Sequence, residues 1–426
     1  MMMCLVAGWN GTFAQTPPDP VDFFGNLNNP VLVHGGTGTW DEMTVAPNCV
    51  WEDGTFYLFY TGMGGIGMAT ASDGFTYTKF SGNPVYTQSG VGFDSLGSGA
   101  PVLIKEPSQW VMYYNARQFP GWGPGESIGR ATADSLTGTW ERYPEPIITH
   151  GGAGEWDCGL ISPCSVLPLE TGGFIMFYYG SNDFNGIWLM GMATSADGIV
   201  WTKYDNPETT DPPFAESDPV IPAGATGEFD EWGVLGAGVI KKGDYYHMYY
   251  TGYGPGPGGY KTDIGFAYSL DAINWVKWIE NPVYVMEDDP YMNGNAIFEQ
   301  NCIFLYNSTL FMYYDYGVVE NAIGMATGDV IDAIWDGKDR TDAIMVINYP
   351  NPVKSSTLFF YELPVAGNVV LKIYDNLGHI VAMPANGWQK TGEHRLLFDA
   401  GQLPAGIYYY RLEAGDFNGS GKLIKL

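Results

Sequence analysis

Apolar and aromatic residues in this chain fall in short runs separated by Gly, Pro, Asp and Asn, and the runs recur in groups of four. The first clear group passes from "APNCVWEDGTFYLFYTG" at Ala46 to "IGMATASDGFTYTK" at Ile66. Runs of this length, rich in β-branched and aromatic residues and closed by tight turn dipeptides, predict strands rather than helices. Similar groups follow from Ala100, Ser162 and Ala237, and a shorter one begins near Asn301 and ends at "IGMATGDV" without a clear final strand. Ahead of four groups stands a phrase ending in an aromatic residue and Asp: "HGGTGTWD" at His34, "SGVGFD" at Ser89, "HGGAGEWD" at His150 and "GATGEFD" at Gly224. Repetition at this period is the signature of a repeat architecture.

Four short antiparallel strands per unit, five times, predict a five-bladed β-propeller over residues 16–330. The last unit lacks its outer strand, and residues 21–28, "VDFFGNLN", are expected to supply it from the other end of the chain. That closure removes the open sheet edges. With strands lettered A to D from the centre outward, the A–B and C–D turns are tight and share one rim. The opposite rim receives the longer B–C and D–A loops, where function concentrates on such scaffolds. The repeated Asp41, Asp94, Asp157 and Asp230 are therefore expected to ring the channel mouth there, with the series broken in unit five near Asn293-Gly294. The tight C–D turns "SDG" at Ser72 and "ADG" at Ala196 lie on the other rim and read as structural.

The texture changes after Val330. Residues 331–344 read as a linker, and alternating apolar positions over 345–426 predict a small β-sandwich. The fold class is thus all-β throughout. At the other end, an apolar run and small residues up to Gln15 resemble the remnant of a secretory signal over residues 1–15. No stretch approaches the ~18 apolar residues that would span a bilayer.

Composition sharpens the class. There are 29 Tyr, 22 Phe, 14 Trp and 58 Gly in 426 residues, and a net charge of −28. Such an acidic chain is unsuited to nucleic acid or anionic lipid, which recruit Lys and Arg. Of five Cys, Cys158 and Cys164 are close enough in sequence to pair, and no Cys/His spacing indicates a zinc site. No cofactor is required, and the one metal left open is a structural Ca2+ in the channel.

Two resemblances add expectations. "YPNP" at Tyr349, "KIYDNLGHIV" at Lys372, "LPAGIYYYRL" at Leu403 and the terminal "GKLIKL" resemble the type A sorting domain of cargo exported by the type IX secretion system. That resemblance implies a protein carried through the periplasm and then secreted or held at the cell surface, with the secretion machinery as partner. The propeller texture, fullest at Glu145–Lys203, resembles the five-bladed glycoside hydrolases of families 43, 62 and 117, and more loosely families 32 and 130. It implies a carbohydrate partner and paired-carboxylate hydrolysis of a polysaccharide or oligosaccharide. By blade position Asp41 would be the base, Asp94 the orienting group and Glu155, beside Asp157, the acid. Family members commonly carry Asp or Glu before the Pro of the innermost strand, whereas this chain has Ala46-Pro47, Ala100-Pro101 and Ser162-Pro163.

For sugar contacts the rim offers Arg117, Trp122, Asn182, Asp183, Trp188, Asp230, Tyr253, Tyr260 and Asp315, with Lys261 and Tyr316 beside them. Aromatic rings can stack on sugar faces and polar groups fix orientation. His34 and His150 read as loop residues bonded to backbone. Two functions remain: a secreted glycosidase, or a glycan-binding or surface-adhesion propeller without catalysis. An Asp written in four blades also suits plain scaffolding, since turn Asp residues commonly accept loop amides.

Overall fold

The computed structural model describes residues 18–329 and 346–425, apart from 27, 119–124, 184–185, 257–258, 286–288, 290–299, 307–308, 317–320, 350, 352, 376–378 and 416. The signal, the linker and Trp122 lie outside these residues. The chain divides into two compact units, residues 1–332 and 333–426.

The first unit is five antiparallel sheets in sequence. Blade one comprises Val45–Glu52, Thr55–Gly62, Gly65–Ala71 and Thr78–Lys79. Blade two comprises Gly97–Lys105, Trp110–Arg117, Ser127–Ala133 and Glu141–Arg142, and blade three Leu160–Pro168, Phe174–Ser181, Leu189–Ser195 and Trp201–Lys203. Blade four runs through Gly233–Lys242, Tyr245–Gly256, Gly259–Ser269 and Val276–Lys277. Blade five holds Asn301–Tyr306, Thr309–Asp315 and Ile323–Asp329, and its outer strand is Phe24–Gly25. Phe24 pairs with Thr327 and Gly25 with Ala326, so the ring closes with the start of the chain.

The second strand of each blade carries a tyrosine at one repeated position. Tyr60, Tyr114, Tyr178, Tyr250 and Tyr314 occupy matching positions there, and each is fully enclosed. The innermost strands are sheet edges whose amides need partners. Side chains of the neighbouring blade supply them: Leu103 N donates to Asn48 Oδ1 at 3.1 Å, Val239 N to Ser165 Oγ at 3.1 Å and Gly238 N to Asn301 Oδ1 at 2.9 Å. At the seam between blades five and one, Cys49 N donates to Cys302 Sγ at 3.3 Å. The C–D turns are held by Asp73, Asp197 and Asp271, whose Oδ1 atoms each accept two amides of their own turn.

The second unit packs a three-stranded sheet, Val346–Tyr349, Ser356–Leu363 and Gly392–Asp399, with a four-stranded one, Ile380–Gln389, Gly367–Tyr374, Gly406–Ala414 and Phe417–Lys425. Phe359, Val369, Leu371, Ile373, Leu412 and Leu423 fill one core between them, which makes it a β-sandwich. No helix is long and apolar enough to cross a membrane among the described residues.

Candidate functional site

The repeated Asp residues sit in D–A loops, but their carboxylates turn onto the outer strands of their own blades. Lys79 Nζ meets Asp41 Oδ2 at 2.5 Å, Arg142 Nε meets Asp94 Oδ2 at 2.6 Å, Lys203 Nζ meets Asp157 Oδ2 at 2.7 Å and Lys277 Nζ meets Asp230 Oδ2 at 2.6 Å. Each base comes from the outer strand. The second-strand tyrosines add donors: Tyr114 to Asp94 at 3.0 Å, Tyr178 to Asp157 at 3.4 Å and Tyr250 to Asp230 at 3.0 Å. All four Asp are buried. Burial pushes the Asp41 carboxyl up, but bonds from Lys79 and Thr39 outweigh it and hold the group below its ordinary range.

Blade five keeps the device with different chemistry. Asp289 receives the Tyr314 hydroxyl, together with Tyr316 OH at 3.2 Å, Tyr284 OH at 3.3 Å and Asn29 Nδ2 at 3.1 Å, whereas Asn293-Gly294, the place expected to break the series, lies outside the described residues. Tyr316 is therefore core and not rim. The repeated Asn-Pro phrase joins the same network. Asn29, Asn83 and Asn281 each bond the matching tyrosine at 3.2 Å and clamp both polar atoms of one third-strand residue.

Glu155 is spent locally as well: its Oε2 accepts the amides of Ala215 at 3.0 Å and Glu216 at 3.2 Å. Glu42 and Glu231 accept the amides of Gly38 and Gly227. His34 and His150 meet the carbonyls of Gly35 and Gly151. Cys158 and Cys164 do not pair; Cys49, Cys158, Cys164 and Cys302 are all free thiols. Cys164 lies inside the innermost strand of blade three, whereas Cys158 precedes that strand in the loop.

A half-open cavity of about 210 Å³ lies among the five innermost strands, lined mainly by apolar residues and Cys49, Cys164 and Cys302, with Asn48 and Ser165 as its polar side chains. At the long-loop rim its entry holds Val45, Ala46 and Ala100 packed with Met43. Gln300 reaches from blade five to the carbonyl of Pro163 in blade three at 3.3 Å. Ca2+ takes six or more oxygen ligands. This wall does not fit that ion: its side-chain oxygens, Asn48 Oδ1 and Ser165 Oγ, already accept strand amides, and no group of three His, Cys, Asp or Glu is assembled among the described residues.

The other sugar-contact candidates divide into four sets. Asp315 belongs to the frame: its Oδ2 accepts the amide of Ala46 at 2.7 Å, across the seam between blades five and one. Arg117 ends the second strand of blade two and lies over Gly97. Asn182 and Asp183 are exposed in the B–C loop of blade three. The aromatic residues gather on blades three and four. Trp188 lies 5.7 Å from Tyr179, and its backbone bridges to Gly233. Trp232 lies 5.4 Å from Tyr253, which lies 5.6 Å from the exposed Tyr260. Lys261 beside them pairs with buried Asp263 at 3.0 Å.

One carboxyl was not signalled by the repeat. Glu126, just before the third strand of blade two, is 3% exposed. Its Oε2 accepts Asn115 Nδ2 at 2.8 Å, and Oε1 has no partner among the described residues. Burial pushes this carboxyl up to about 7, against the Asn115 bond and the charge of Arg117.

Comparison with known proteins fits this architecture. Residues 348–426 match the family model described as the secretion system C-terminal sorting domain. No curated protein matches the sequence. Among solved structures, a candidate glycosidase from Bacteroides thetaiotaomicron aligns at 17% identity and TM-score 0.56, covering 73% of this chain and 97% of that one. A glycosyl hydrolase from Bacteroides ovatus aligns at 17% and 0.54, covering 72% and 94%. A structure from work on family 130 mannoside phosphorylases and hydrolases of β-1,2-mannosidic linkages in Candida mannan aligns at 17% and 0.53, covering 74% and 95%. The N-terminal unit thus shares the propeller fold of these glycosidases, and the C-terminal unit marks the chain as cargo of the type IX secretion system.

Proposed function

We propose that this chain is an exported carbohydrate-active propeller that holds a polysaccharide or oligosaccharide on its long-loop rim as a glycan-binding protein, without hydrolysing it. One observation carries the reading: the rim acids written by the repeat are already committed. Glycoside hydrolysis needs two carboxyl groups flanking the scissile bond, roughly 5–10 Å apart. Here Asp41, Asp94, Asp157 and Asp230 are ion-paired inside their own blades and Glu155 caps backbone amides. The innermost-strand entries are Ala46, Ala100 and Ser162. What remains at the rim is a strip of rings, Tyr179, Trp188, Trp232, Tyr253 and Tyr260, with the shape and amphipathic character that stack on sugars.

The test is to offer the full chain arabinan, xylan, fructan and mannan oligosaccharides, measuring binding by calorimetry and product release by reducing-sugar assay. Binding without release is expected. Release of product that disappears in a folded Glu155→Gln protein would restore the hydrolase reading with its acid at that residue. The route through the periplasm belongs to the same proposal and rests on the sorting domain.

A further inference from the structure

Glu126 and Ser162 stand at the seam between blades two and three on the long-loop rim. Asn115 Nδ2 ties them into one place, donating both to Glu126 Oε2 and to the carbonyl of Ile161, each at 2.8 Å. Ser162 follows directly, as the third residue of the innermost strand Leu160–Pro168. Glu126 and Ser162 are 3% and 4% exposed. Among the described residues neither Glu126 Oε1 nor Ser162 Oγ has a hydrogen-bond partner. Buried polar atoms are almost always satisfied, so two orphans at one seam call for a missing polar partner.

We infer that this seam is a binding notch for a neutral sugar, in which Glu126 Oε1 and Ser162 Oγ take hydrogen bonds to the hydroxyl groups of a bound residue. The inference rests on the glycan-binding reading and adds polar contacts to the aromatic strip. Neutral ligands are favoured because a second carboxylate would meet Glu126 in a buried setting. The raised carboxyl supports this: near neutrality a large fraction of Glu126 stays protonated, keeping one donor and one acceptor for a hydroxyl. Arg117 is the charged group that acts on it.

The experiment measures affinity of the full chain for neutral arabinan, xylan, fructan and mannan oligosaccharides in four proteins: unaltered, Glu126→Met, Glu126→Gln and Ser162→Ala. Glu126→Met keeps the bulk and removes both oxygens, so binding should weaken roughly tenfold or more. Glu126→Gln keeps hydrogen-bonding capacity and should stay within a few-fold, and Ser162→Ala, the mildest change, should lose a few-fold. Tyr260→Ala serves as the control for the aromatic strip. Unchanged affinity in Glu126→Met and Ser162→Ala, with loss in Tyr260→Ala, overturns the notch and leaves the glycan-binding reading standing. Failure of every neutral oligosaccharide to bind overturns both. A crystal structure with saturating sugar in which Glu126 and Ser162 bond only water also overturns the notch.

Discussion

Lys203 Nζ lies 2.7 Å from Asp157 Oδ2, and the Asp157 side chain has no solvent exposure at all. Two charges that leave water together must keep one another, because removing either strands the other in a medium that solvates it poorly. We expect Lys203→Met to destabilise the propeller by about 3–5 kcal/mol, and Lys203→Met with Asp157→Asn to recover most of that loss. Urea unfolding checks it. Equal stability of the single and double variants would show that the pair does not act as a unit.

The Asp41 pair gives a milder, pH-dependent version. Lys79 is more exposed, with 29% of its side chain accessible. Asp41 titrates below its ordinary value in the folded chain. Its contribution is therefore present above the unfolded carboxylate value, about 3.8, and is lost as pH falls through the lowered folded one. In Asp41→Asn the acid limb of thermal stability should flatten below pH 4, which a melting series across pH 2–6 would record.

Glu126 has the opposite sign. Its folded carboxyl is raised to about 7, so its favourable contribution is complete below about 4.5 and is lost as pH climbs through about 7. The difference amounts to about 3 kcal/mol across that window. Glu126→Gln should therefore be more stable than the parent at pH 8 and little different at pH 4. Identical pH profiles for the two proteins would show that Glu126 is charged in the folded state at neutrality.

The aromatic strip predicts a separation of stability from binding. Tyr260 is exposed, so Tyr260→Ala should leave the melting temperature within a degree or two while weakening glycan affinity several-fold. Tyr250→Phe, which removes a buried donor to Asp230, should do the reverse.

Export should be separable from the ring. Deleting residues 345–426 is expected to leave a folded propeller in the periplasm of the producing cell, because the two units have their own cores. Surface delivery of the truncated protein, detected by protease shaving, would contradict the role given to the sorting domain.

The repeat made the blades legible, since four strands per unit and a phrase in each D–A loop fix where strands begin and end. The closing strand was legible by elimination, because unit five lacked one. What the repeat obscured is the role of its own aspartates. Asp41 and its partner Lys79 are 38 residues apart, and the partner was visible only as the last letter of "TYTK", "WER", "WTK" and "WVK". A base at the same register in four blades was the signal that these carboxylates were balanced. Asp289 escaped because blade five replaces the base with Asn29, Tyr284 and Tyr316. Glu126 escaped for the opposite reason: it occurs in one blade only, and periodicity is silent about residues that are not repeated.

The pairing of Phe24 with Thr327 and the bond from Ala46 to Asp315 have a consequence for how the molecule comes into being. Both join segments about 270–300 residues apart in sequence. Contacts that distant form slowly, because a long loop must close before they reward the chain. During synthesis blades one to four can assemble as their strands emerge, and the opening segment can rest on blade four through Val21 and Phe23 against Tyr249, yet its strand partner is missing until the fifth is made. The ring is thus an arc for most of its early life, and the moment it becomes a circle is set by the arrival of its final blade.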